Sequence, residues 1–447
     1  MQLRRALRIA PGLAVAFTGA GGKTSAIRRL AQEIAQTSNS EPNSLLITTT
    51  TRFGNDQRDL ANLHLIEPSK GQIAGLPDLL MEHRSVLVTG PAVEDKWISP
   101  TDDTLERLHR LASEGGTVLL IEADGAQGRS LKAPAEHEPA IPKFADLLVP
   151  MAGLDALGRS IESEAVHRPE LVAAMLDTPG EAEIGPIELA SVLAAEEGGL
   201  KGVPDGAEVR VLLNKADGST KEPGRQIAQA LLETRRIQSV VLSSLIEDDP
   251  VREVHGRVAG VVLAAGGSSR LGEPKQLIQW RGHPLVWHAV RAAAEGGLAP
   301  IAVVAGGAAD ELRQALEGEA IDIVENPAWS AGQSGSVRLG LEAVAEGTEG
   351  AVFLLADLPF VGPDLVRALI GRHRQTLAPL VATWAGGRRA NPVLFDRMTY
   401  SDLLSLSGDQ GGRAIFRRFE PDFVEWDDSI LLDVDTPEDM ERLRQLE

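Results

Sequence analysis

Residues 258–275 constrain this chain more than any other stretch: Val-Ala-Gly-Val-Val-Leu-Ala-Ala-Gly-Gly-Ser-Ser-Arg-Leu-Gly-Glu-Pro-Lys. A β-branched apolar run that empties into a glycine turn predicts a buried strand ending where a ligand can approach the backbone. Leu263, Ala264, Ala265, Gly266, Gly267, Ser268 and Ser269 form the candidate nucleotide-binding segment, with turn N–H groups able to cradle phosphate. Arg270 and Lys275 follow at once, and their charge suits the catalytic task of neutralising phosphates during phosphoryl chemistry. Glycine pairs alone make ordinary turns; strand, turn, Arg and Lys in this order ask for more than a turn.

Such a strand needs others beside it. Apolar runs at 13–18, 44–48, 85–89, 117–122, 209–213, 258–264, 301–305 and 351–356 alternate with helical patterns. The helical stretches include 23–36, 102–113, 284–295, 309–317 and 362–374, and the alternation predicts an α/β protein with mainly parallel sheets. Two strands, near 13 and near 258, open into glycine turns, which suggests two nucleotide-binding domains, 1–255 and 256–447. The acidic segment Glu247-Asp248-Asp249-Pro250 marks the expected passage between them. A length of 447 residues is ample for two cores.

Bulk chemistry excludes several classes. A formal net charge of −20 disfavours nonspecific binding to nucleic acid or to anionic membrane. The absence of cysteine removes disulfides, thiolate metal sites and a Cys nucleophile, so a bound metal must use oxygen or imidazole, Mg²⁺ first. Arg4, Arg5 and Arg8 ahead of the apolar run 13–17 faintly suggest a leader, but Pro11-Gly12 and the glycine loop make that run a strand. With no apolar run long enough to span a bilayer, a cytoplasmic location is expected.

Phosphoryl chemistry also calls for a carboxylate on Mg²⁺. Val352-Phe-Leu-Leu-Ala-Asp357-Leu-Pro359 places Asp357 at a strand end, where ligands of open α/β sheets sit. Leu431-Leu432-Asp433-Val434-Asp435-Thr436-Pro437 offers two more, and strand alternation would put Asp433 and Asp435 on one face. Thr436-Pro437-Glu438 also reads as a helix start, so Asp435 is open to metal binding or to capping.

The stretch Leu263–Lys275 resembles the LAAGxSxRMGxxK signature of MocA-type molybdenum cofactor cytidylyltransferases, within the MobA-like nucleotidyltransferases, with Leu271 in place of Met. Sugar-phosphate nucleotidylyltransferases usually carry Gly-Thr before the Arg, where this chain has Ser268-Ser269. Asn326–Ser336, Ala356-Asp357-Leu358-Pro359, Asn391–Phe395, Gly408–Arg413 and Asp433–Pro437 resemble the further family motifs in order. The resemblance implies a Rossmann-like nucleotidyltransferase domain that joins CTP to Mo-molybdopterin, with Mg²⁺ on Asp357 and Asp435. Ala265 favours CTP over GTP by the same resemblance, and Arg388-Arg389-Ala390 departs from the family pattern. The implied partner is an apo molybdenum hydroxylase of the xanthine dehydrogenase type.

The amino-terminal half carries Val15-Ala-Phe-Thr-Gly19-Ala-Gly21-Gly22-Lys23-Thr24-Ser25, a P-loop-like turn between strand and helix. Gly19, Gly21 and Gly22 would let backbone amides meet phosphates, Lys23 would reach the outer phosphates, and Thr24 would meet Mg²⁺. Phe17 stands where a full Walker A has its first glycine. Thr48–Thr51 offers a hydroxyl cluster, and Glu122-Ala-Asp124 ends a strand as a metal-binding carboxylate would, Asp124 being the candidate ligand. Asn214-Lys-Ala-Asp217 resembles the guanine-reading NKxD motif of GTPases. ATP or GTP is therefore the expected nucleotide of this half. Thr18–Thr24, Thr48–Thr51, Glu122–Ala126 and Leu131–Pro139 together resemble the YqeC-type selenium-dependent hydroxylase accessory family. A fusion of accessory NTPase and cytidylyltransferase is the reading; the rivals are a sugar- or polyol-phosphate nucleotidylyltransferase and an amino-terminal docking or chaperone module gated by nucleotide.

Overall fold

The computed structural model describes residues 1–36, 44–266, 271–408 and 411–446. The chain divides into two compact units, Met1–His255 and Gly256–Glu447.

The first unit is built on a nine-stranded sheet. Its order is 251–256, 239–243, 208–214, 147–153, 14–19, 118–122, 45–49, 85–89, 63–66. From 239–243 to 63–66 every neighbouring pair is parallel. Parallel strands covered on both faces must be apolar almost throughout. The central strands Ala14–Gly19, Val118–Glu122 and Leu147–Gly153 satisfy this, being buried along nearly their whole length. The strand Leu147–Gly153 carries Pro150, which ordinarily argues against a central position. Pairing with Glu208–Asn214 skips Val149 and Pro150, so the missing N–H falls where that ladder is already broken. The acidic segment at 247–250 is a turn within this unit, closed by the Ser244 N–H donating to Pro250 O at 2.7 Å, ahead of the edge strand Val251–Gly256.

The second unit holds a seven-stranded sheet in the order 322–325, 301–305, 258–264, 350–355, 388–396, 380–385, 422–425. The strand Arg388–Asp396 runs antiparallel to both neighbours, and the other pairs are parallel. Alternate side chains of Val258–Ala264 feed opposite cores: Val258, Val262 and Ala264 pack under the helices Leu285–Glu295 and Pro363–Thr376. Ala259 and Val261 pack under the helix Gln333–Val344. The chain leaves 258–264 toward 301–305 on one side and returns through 350–355 on the other. The order reverses at these carboxyl ends, the crevice where open α/β sheets bind ligands. Among the described residues no helix is long and apolar enough to cross a membrane.

Candidate functional site

At that reversal the strand Val258–Ala264 runs out into Ala265 and Gly266, and the strand Gly350–Leu355 ends two residues before Asp357. Between them opens a cleft of about 590 Å³, floored by Ala264, Ala265 and Gly266 and edged by Lys275 and Asp357. Gly267, Ser268, Ser269 and Arg270 lie outside the described residues.

The segment 432–436 has no regular secondary structure, a correction to the strand expected there. It is tied instead by the Val434 N–H donating to Asp357 O at 3.2 Å and by the fully buried Val434 side chain. This path brings Asp433 and Asp435 to Asp357, with one oxygen of each carboxylate within 4.8 Å of the others. Helix capping falls to Thr436, whose Oγ1 accepts from the Asp439 N–H at 3.2 Å while Asp439 returns the bond, so Asp435 does not cap by its side chain. Lys275 Nζ sits among the three carboxylates: it donates to Asp435 Oδ1 at 2.6 Å, pairs with Asp357 Oδ2 and lies 3.9 Å from Asp433 Oδ1. Burial alone would lower the Lys275 pKa, yet the carboxylates, Asp357 foremost, hold it above the ordinary lysine range. Burial, reinforced by the Asp357 charge, pushes the Asp433 carboxyl up to about 7.

Asp357 Oδ1 and Asp433 Oδ1 are buried with no hydrogen-bond partner. Two orphaned carboxylate oxygens beside a third, with oxygen as the sole donor type, fit a hard divalent cation such as Mg²⁺. A smaller cavity of about 130 Å³ shares Leu263, Gln333 and Leu355 with the cleft and adds Asn391, Arg413 and Phe416. The Arg389 guanidinium lies 4.0 Å from the Phe416 ring centroid, a cation–π contact.

In the first unit the turn after Ala14–Gly19 is close-packed. Gly21 has φ +81°, and a Cβ there would meet Gly153 N at 2.2 Å. Three of its amides are already engaged: Gly19 N–H on Asp124 Oδ2 (3.0 Å), Ala20 N–H on Met151 O (2.9 Å) and Gly21 N–H on Arg129 O (2.8 Å). The donors left for an anion are the amides opening the helix Lys23–Gln36, which no helix satisfies internally. Lys23 is buried, with Nζ 2.5 Å from Gly19 O and 3.0 Å from Asp124 Oδ1.

Asp124 lies between two ammonium groups: its second oxygen pairs with the buried Lys132 Nζ at 3.0 Å. The carboxylate beside Thr24 is Glu122: Thr24 Oγ1 donates to its Oε2 at 3.3 Å, and Gln57 Nε2 donates to Thr24 Oγ1 at 2.6 Å. Burial raises the Glu122 pKa, with Asp124 adding to the effect and Lys23 opposing it. Asn214 also has another task. Its Nδ2 donates to Gly21 O at 2.8 Å and its Oδ1 accepts from the Leu245 N–H at 3.1 Å, which braces the glycine turn. Asp217 is half exposed, 3.8 Å from Arg252. The hydroxyls of Thr48 and Thr49 donate to the sheet backbone at Val88 O and Glu122 O.

Residues 15–170 match the YqeC protein family and residues 260–423 the MobA-like NTP transferase domain. YqeC of Escherichia coli K12 is 30% identical over 203 residues, covering 45% of this chain and 75% of that protein. Nicotine blue oxidoreductase of Paenarthrobacter nicotinovorans is 34% identical over 197 residues, covering 42% of this chain and 96% of that protein. The chain belongs to both families, one in each unit. Among solved structures, Rv0371c of Mycobacterium tuberculosis H37Rv is 30% identical, with 42% of this chain and 98% of that chain covered at a TM-score of 0.39.

The MobA-like unit is thus a nucleotidyltransferase domain, and its cleft joins a small-residue floor, a lysine and three carboxylates. Sequence reasoning left Asp433 out of the metal set, although its place two residues before Asp435 was a signal. In the YqeC unit Glu122 was one of two strand-end carboxylates the sequence offered, with Asp124 preferred, and Gln57 beside Thr24 gave no signal; which carboxylate faces the turn depends on sheet register.

Proposed function

We propose that the MobA-like unit is a molybdenum cofactor cytidylyltransferase. The observation that carries this reading is the cluster of Asp357, Asp433, Asp435 and Lys275 at the mouth of the Ala264–Gly266 floor. The substrates are CTP and Mo-molybdopterin. An oxygen of the terminal phosphate of molybdopterin attacks the α-phosphorus of CTP, the bond to the bridging oxygen breaks, and pyrophosphate leaves. Asp357 and Asp435, with Asp433 beside them, would hold Mg²⁺, which supplies charge neutralisation on the triphosphate. Lys275 and Arg270 bind and orient the phosphates, since positioning and electrostatics dominate this class of transfer. The cavity lined by Asn391, Arg413 and Phe416 offers apolar walls and few polar groups, a fit for the ring system of the acceptor.

The YqeC unit serves the same pathway as an accessory nucleotide-binding domain, with Lys23 on ATP or GTP and Thr24 and Glu122 toward a metal. The product then passes to an apo molybdenum hydroxylase, and fusion keeps the two steps at high effective concentration. Pyrophosphate release in the presence of Mg²⁺ and Mo-molybdopterin, with CTP and GTP in parallel, tests the reading. Release with CTP supports it; release with GTP alone moves the protein to guanylyl transfer; turnover of a sugar phosphate instead overturns the molybdenum assignment.

A further inference from the structure

We propose that Trp329 is the stacking platform for the base of the nucleoside triphosphate, an assignment that rests on the nucleotidyltransferase reading above. Trp329 is 37% exposed, unusual for the largest apolar side chain, and what it faces is the cleft it lines together with Ala264, Ala265 and Gly266. The back of the indole lies on Gly306-Gly307, the two residues that follow the strand Ile301–Ala305. A Cβ on Gly306 would stand 3.1 Å from Trp329 Cγ and 2.8 Å from Ala265 O, so the missing side chain is what lets the ring, that turn and the cleft floor come together.

The ring is also held. The short 3-10 turn Trp329–Ala331 follows Asn326, a buried amide whose Nδ2 donates to Ser336 Oγ at 2.9 Å and whose Oδ1 accepts from the Ala328 N–H at 3.1 Å. The Trp329 N–H donates to Asn326 O at 3.2 Å. A buried polar clamp of this kind costs stability unless every group is satisfied, and here it fixes the position of one half-exposed aromatic. Lys275 and Asp357, where the phosphates belong, edge the same cleft. A nucleotide whose phosphates meet those groups has its uncharged planar end to place along the small-residue floor, and an anchored indole beside that floor supplies a π-face. Stacking accepts any base, so Trp329 supplies affinity and orientation while discrimination is left to backbone and polar groups at the base edge.

The test is calorimetric titration of the full chain with CTP, GTP and tripolyphosphate, using wild type, Trp329→Ala and Trp329→Phe. Lys23→Ala in every background removes the amino-terminal contribution. The expected result is about tenfold weaker binding of the preferred nucleotide by Trp329→Ala, recovery in Trp329→Phe, and unchanged binding of tripolyphosphate. Equal weakening of nucleotide and tripolyphosphate would assign Trp329 to cleft structure alone and overturn the proposal. Unchanged nucleotide binding would overturn stacking and leave nucleotidyl transfer standing. If GTP rather than CTP shows the tenfold loss, stacking holds and the choice of CTP fails.

Discussion

At the scale of single residues, Lys275 occupies the place a divalent cation would take, amid Asp357, Asp433 and Asp435. On the proposed reading its ammonium group should compete with metal in the absence of triphosphate. Lys275→Gln should bind Mn²⁺ in the absence of nucleotide about tenfold more tightly than wild type, read by electron paramagnetic resonance. The same variant should lose nucleotidyl transfer by about a hundredfold or more. Unchanged or weaker Mn²⁺ binding would contradict the exchange. Lys275 and Asp357 were legible in the sequence because their motifs are local. The engagement of Asp124 by Lys23 and Lys132 was not, since Lys132 reaches it from a strand pair that sequence spacing does not announce.

At the scale of elements, the carboxyl-terminal helix Pro437–Arg444 sets the two aspartates that precede it. Leu443 and Val434 are buried with Ile278, Trp280 and Leu285, which anchors the segment beside Lys275. Thr436→Ala should cost about 1 kcal/mol of stability through the lost cap. It should also raise the Mg²⁺ concentration needed for half-maximal turnover, because Asp435 adjoins the frayed end; thermal melts and a Mg²⁺ titration check both. The strands 258–264 and 301–305 and the helix 23–36 were readable to the residue because each combines an apolar run or period with clear terminal signals. The strand Leu147–Gly153 was hidden by Pro150, and the strands Arg388–Asp396 and Asp422–Glu425 by their polar and partly exposed residues. The 432–436 segment shows the converse: spacing placed its aspartates together correctly although the strand invoked for them does not form.

At the scale of the whole molecule, the chain forms two α/β units with separate cores, and each has its own sensitivity. In the YqeC unit Glu138 takes a bidentate pair from Arg168 at 2.6 and 3.2 Å and a bond from Lys132 at 2.7 Å. Burial alone would raise its pKa, but the hydrogen bonds from Arg168 and Lys132 outweigh it and hold the carboxyl at about 2, below its ordinary 4.5. Because the folded value is depressed, this stabilisation is complete above pH 4.5 and is lost as pH falls from there through about 2. The wild-type melting temperature should therefore fall more steeply than that of Glu138→Gln across that window; parallel curves would contradict the assignment. The chemistry proposed for this protein lies in the other unit. Its most direct test is transfer of radiolabel from the α-phosphate of CTP to Mo-molybdopterin by the full chain, with Asp357→Ala alongside. Wild type should give a labelled cytosine dinucleotide, and Asp357→Ala at least about a hundredfold less. No label on the pterin, or equal labelling by the variant, would contradict it.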